Sequence, residues 1–110
     1  MARSETAYAA ISRHLGALPG VSEKPMFGGV CFMLDGNMIC GAVRIGAMAR
    51  VGKGREAEAA EIPGVIQAMP SGRKMSGFVT MPEAAIEEDP EGFARLLDMA
   101  LTFTATLPPK

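Results

Sequence analysis

Tryptophan is absent from this 110-residue chain, tyrosine and histidine occur once each, and cysteine only twice. With so few aromatics, and none interleaved with basic residues, a base-stacking platform for single-stranded nucleic acid is poorly supported. No apolar run approaches the roughly 20 residues that span a bilayer. The most apolar stretch, 29–43, is interrupted by Asp35-Gly36-Asn37. Nor does Met1-Ala2-Arg3-Ser4-Glu5 lead into a signal-peptide core. Neither sign of charge dominates: eleven Lys and Arg face twelve Asp and Glu, a net charge of -1. No chain-wide field therefore holds a polyanion. Two cysteines without a secretion signal imply free thiols in a reducing compartment, and the expected location is the cytoplasm.

What is present suffices for one domain spanning 1–110. A chain of this length buries roughly two thirds of its unfolded surface, and 48% hydrophobic residues are enough to fill a core. Ser4 is placed to cap a helix with apolar residues at Tyr8, Ile11, Leu15 and Leu18, stopped by Pro19-Gly20. Asp35-Gly36 suits a two-residue hairpin turn between strands 30–34 and 37–40. A regular ladder pairs Leu34 with Asn37, Met33 with Met38, Phe32 with Ile39 and Cys31 with Cys40. Both faces of that hairpin are apolar, so a helix, a sheet neighbour or a second subunit must cover the second one.

A tight connection at Arg44-Ile45-Gly46 leads to a strand over 47–51, and a short helix is expected over 55–62. The pattern then suggests a strand over 65–69, a turn at Pro70-Ser71-Gly72 and a strand over 74–81, with Gly77 marking a bulge or close backbone approach. Pro82 opens a short helical turn. Asp89-Pro90-Glu91 starts a terminal helix whose stripe is Phe93, Leu96, Leu97, Ala100, Leu101 and Thr104. The expected class is α+β: a two-layer domain with an antiparallel β-sheet flanked by N- and C-terminal helices.

The chemistry-bearing motifs are incomplete. Gly46 to Gly54 has the wrong spacing for a phosphate loop and lacks the Ser/Thr that would bind magnesium. Cys31, Cys40 and His14 give three soft ligands where a closed zinc site takes four. Facing each other across the hairpin, the two cysteines would form a strained, easily reduced disulfide; buried structural thiols are the plainer reading. His14 has no nucleophile or acid partner in sequence, and Met75-Ser76-Gly77 is not a nucleophile elbow. The acids at Glu83, Glu87, Glu88, Asp89 and Glu91 suit helix starts. No catalytic, metal-binding or cofactor-binding set emerges.

Charge is unevenly spread. Basic residues outnumber acidic ones six to three between Arg44 and Lys74, whereas 83–98 carries six acids against Arg95. Arg50, Lys53, Arg55, Arg73 and Lys74 are the candidate partner or anion contacts. Nine methionines fit either an irregular core or an adaptable protein-binding surface.

Met26-Phe27-Gly28-Gly29, the following hairpin with Asp35-Gly36, and Gly72-Arg73-Lys74-Met75-Ser76-Gly77-Phe78 together resemble the N-terminal domain of TfoX/Sxy proteins. The likeness runs from about Ser22 to Pro82, and the flanking helices fit it. It implies an α+β domain with a helix-flanked antiparallel sheet in a bacterial cytoplasmic protein. Named members are associated with natural competence, as a transcriptional co-activator. The resemblance supplies no catalytic residues. Those regulators carry a second, C-terminal domain; the expectation for this chain is a stand-alone N-terminal domain.

The resulting expectation is a non-enzymatic regulatory or protein-interaction module. A protein partner or a homodimer would meet its apolar sheet, with nucleic acid contacted indirectly and no membrane. Two alternatives are a small-ligand protein or enzyme using a cleft beside Gly28-Gly29 and Gly72, and a weak DNA-binding protein whose basic residues of 44–74 converge on one face.

Overall fold

The computed structural model describes residues 3–26, 28–69 and 71–110; Phe27 and Pro70, both used above, lie outside that set. Helix α1 (Glu5–Leu15) precedes four strands, β1 (Val21–Met26), β2 (Gly29–Leu34), β3 (Asn37–Val43) and β4 (Gly46–Arg50). A short helix α2 (Glu56–Ala59) follows, then β5 (Phe78–Pro82), α3 (Glu83–Glu88) and α4 (Pro90–Thr104). The strands lie in the order β1-β2-β3-β4-β5, all antiparallel. α1 and α4 lie on β3 and β4, and α3 on β4 and β5. The expected two-layer α+β architecture is therefore present.

Local chemistry fixes the helix starts. The Ser4 hydroxyl accepts from the Ala7 N–H at 3.1 Å, and the Asp89 carboxylate accepts from the Gly92 N–H at 3.0 Å. Each satisfies a backbone donor that the first helical turn leaves without a partner. The Asp35-Gly36 turn has φ of 50° and 88°, as a type I′ turn requires. Its Asp35 carbonyl accepts from the Lys110 N–H at 2.9 Å. Nearby, Asn37 donates to the Pro108 carbonyl at 2.9 Å, so the C-terminal tail is tied to this turn.

One strand was not expected, and two expectations are corrected. β1 is a strand that the pattern does not announce: Ser22-Glu23-Lys24-Pro25 is exposed, as suits a sheet edge blunted by charge and proline. Residues 65–69 form no strand; one bridge joins Ile66 to Thr80 at the outer side of β5. The strand expected over 74–81 begins only at Phe78, because Gly77 is left-handed at φ 88° and turns the chain there.

The third correction concerns register. Met33 pairs with Met38 as expected, but the ladder then shifts so that Phe32 pairs with Cys40 and Cys31 with Gly41. Ile39 is the extra residue of a β-bulge. Phe32, Ile39, Cys40 and Ala42 all join the helix-side core, while Cys31 belongs to the cluster on the other face. The expected facing of Cys31 and Cys40 does not occur. Both are free and buried.

Candidate protein-interaction surface

One row of partners crosses the whole sheet: Lys24, Cys31, Gly41, Met48 and Thr80. Directly paired residues share a face, so this row defines the face turned away from the main core. Gly41 leaves its middle without a side chain. A Cβ there would stand 3.0 Å from the Cys31 Sγ and 3.6 Å from the Met48 Cγ; both side chains lean into that space. Cys31, Met38, Val43 and Met48 form a second buried cluster, with Met26, Met33, Ile45, Met69 and Phe78 half-buried around it.

The chain thus covers the centre of its own second face, which neither a sixth strand nor a second subunit is needed to shield. Part of the cover comes from the segment 63–77, which sets Met69 against the cluster. That segment is held at several points. Ile66 and Thr80 exchange backbone bonds at 2.8 and 2.9 Å, Gly72 N–H donates to Met69 O at 2.8 Å, and Met69 N–H donates to Arg73 O at 2.7 Å. The Thr80 hydroxyl donates to the Ala68 carbonyl at 2.5 Å.

The far end is clamped by Glu56, a residue that sequence reasoning missed. Its carboxylate accepts from the Gly77 N–H at 2.5 Å and the Gly54 N–H at 2.8 Å. Gly77 O in turn accepts from the Val51 and Gly52 N–H groups. A Cβ on Gly77 would lie 3.2 Å from the Lys53 backbone nitrogen, so the close approach expected at Gly77 is real. The Gly77 N–H, with smaller help from the Glu56 and Gly54 N–H groups and from Lys53, holds the Glu56 carboxyl below the ordinary carboxylate range. No local motif announces a bond between residues 21 apart.

Between these anchors residues 71–76 are all exposed, including the Gly72-Arg73-Lys74-Met75 motif. Met75 is 47% exposed and Ile66 49%, two of the three exposed large hydrophobics among the described residues. A recess of about 90 Å³ lies between Met75, Lys74, Phe78, Gln67 and Glu56. Lys53 and Gly54 occupy the facing glycine loop. Arg50 ends β4 with its guanidinium 5.5 Å from the Phe103 ring centroid. Arg55 departs from the group: it donates to both Glu58 oxygens at 3.0 Å and lines a separate cleft beside Arg95 and Asp98. The five basic candidates therefore do not form one patch.

Gly28 and Gly29 line another cleft of about 790 Å³, with Arg3, Pro25, Met26 and Val30. Gly72 does not line that cleft; it bonds to Met69 in the segment that follows the Ile66 bridge. Burial pushes the Cys31 thiol up to about 11 and raises that of Cys40 further, with Cys31 adding a smaller effect. Both stay protonated at neutral pH and are poor nucleophiles. His14, in the last turn of α1, meets Asp98 of α4 at 2.7 Å and joins the two helices. Among the described residues no group of three or more His, Cys, Asp or Glu is arranged to hold a metal ion, and no helix is long and apolar enough to cross a membrane.

Charge is divided between the layers. Of the twelve acids, only Glu23 and Asp35 lie between the start of β1 and the end of β4, and 63–77 contains none. Glu23 is turned to the helix side, where Tyr8 donates to it at 2.9 Å.

Comparison with curated proteins and with solved structures finds no match. The TfoX N-terminal domain family matches residues 13–104, from the last turns of α1 to the end of α4, and is not a known enzyme family. The fold, the glycine turns and this match agree, and the chain belongs to the TfoX N-terminal domain family.

Proposed function

We propose that the protein is a regulatory, protein-interaction module that works without catalysis of its own. The observation that carries this reading is the clamped segment 63–77, which holds Ile66 and Met75 in solvent beside the half-buried methionines of the second sheet face. Flexible, polarizable methionines adapt to partner surfaces. The deeply buried, protonated thiols and the His14–Asp98 pair on the helix surface lend no support to a nucleophilic site. The resemblance to TfoX/Sxy regulators supports a partner drawn from transcriptional control or competence, acting in the bacterial cytoplasm.

The test is recovery from native lysate, with the wild-type protein and the Ile66→Ser/Met75→Ser variant compared side by side. One stoichiometric protein partner, lost with the variant, is expected. A partner retained equally by both would sink the reading, as would recovery of none.

A further inference from the structure

The exposed loop has a chemistry that narrows what can dock on it. Arg73 and Lys74 stand beside Met75 on a segment without a single acid. Glu56, the one carboxylate lining the adjoining recess, spends its oxygens on the Gly54 and Gly77 N–H groups. Lys24, paired with Cys31, adds positive charge elsewhere on this face. The helix layer carries most of the negative charge.

We infer that the 63–77 loop docks an acidic, apolar-bearing peptide segment of a partner protein. This rests on the interaction reading above and adds the chemistry of the partner. Carboxylates of the segment meet Arg73 and Lys74, and an apolar side chain enters the recess lined by Met75 and Phe78. A second copy presenting the same loop would set like charges against each other, which is unfavourable. A phosphate backbone would use the two cations but leave Met75 without a partner. The loop's backbone closures hold Arg73 through Met75 before binding, which reduces the ordering cost of association.

The probe is a random 16-residue peptide library displayed on phage and selected against the full chain, with a 20-base-pair DNA duplex measured alongside. Selected peptides should combine net negative charge with one or more large apolar residues. Arg73→Glu/Lys74→Glu should weaken them at least tenfold, with unchanged circular dichroism and thermal midpoint because both residues are exposed. Neutral or basic selected peptides, or peptides that bind the charge-reversed protein equally, would overturn the inference. So would an empty selection, or DNA bound more tightly than any peptide. Peptides weakened by Met75→Ser but indifferent to charge reversal overturn only the acidic preference and keep the interaction loop. Peptides indifferent to both substitutions remove the loop itself.

Discussion

On the helix side of the sheet, Phe32, Ile39, Val79 and Met81 are fully buried with Ile11, Leu15, Phe93, Leu96 and Leu97. On the other side, Cys31 and Met48 are equally buried, but their neighbours Met26, Met33, Met69 and Phe78 are only partly so. The first side is shaped by branched and aromatic groups between two rigid layers. The second is covered mostly by methionines, with Val43, Ile45 and Phe78 among them, and by one tethered loop. Interiors of the first kind lose contacts that cannot be replaced when trimmed. Surfaces of the second kind can rearrange around what is added or removed. On the function proposed above, the difference separates stability from recognition: the helix-side face holds the fold, and the loop-covered face is the one a partner would meet.

That comparison breaks if the two faces respond alike to truncation. Phe32→Ala should cost about 3–5 kcal/mol and Met33→Ala, half-buried on the adjacent strand position, about 1 kcal/mol, both measured by urea unfolding. Equal losses would mean that the methionine side is as rigidly packed as the helix side. A smaller effect comes from the layer that seals the first face. Asp89→Ala removes the cap of α4 and should lower stability by about 1 kcal/mol, leaving binding at the 63–77 loop unchanged. A binding defect in that variant would show that the faces are coupled.

The smallest change in global stability is expected at the clamp. The folded-state pKa of Glu56 lies below its unfolded value, so its stabilisation is complete above the ordinary Glu value of about 4.3. It is lost as the pH falls through the folded value. Amide exchange at Gly54 and Gly77, corrected for intrinsic rates, should therefore accelerate below about pH 4.3. Glu56→Gln should leave those amides faster at neutral pH and remove the pH step. Unchanged protection at Gly77 in that variant would show that the clamp is dispensable and that the loop owes its order to the Ile66 bridge.

Much of the first face was legible in the sequence, and much less of the second. Ser4 and Asp89 cap through bonds to residues three positions away, and Asp35-Gly36 turns through its own backbone dihedrals, so these roles follow from local chemistry. The stripe of α4 follows from helical period. β1 escaped because an edge strand needs no apolar alternation, and Ser22-Glu23-Lys24 supplies none. Residues 65–69 have strand composition, but Pro63-Gly64 before them and the Met69–Arg73 turn after them leave length for only one bridge. The cysteine positions depended on a bulge that no residue type between Phe32 and Cys40 announces. The candidate site was half visible: Arg73, Lys74 and Met75 were named from sequence, whereas Glu56 became significant only once Gly54 and Gly77 had been brought to it. Arg55 carried the same charge as its neighbours, and the nearby Glu58 turned it away.

The bulge at Ile39 has a bearing on how this hairpin tolerates changes in length. Because Ile39 and Cys40 both stand against Phe32, the strand holds one surplus residue, and removing Ile39 would leave every other side chain on the face it now occupies. Removing Gly41 with the bulge left in place would instead send Ala42 outward and turn Val43 toward the helices. Position 39 is thus where evolution or an engineer can shorten the hairpin by one residue without inverting what lies beyond it.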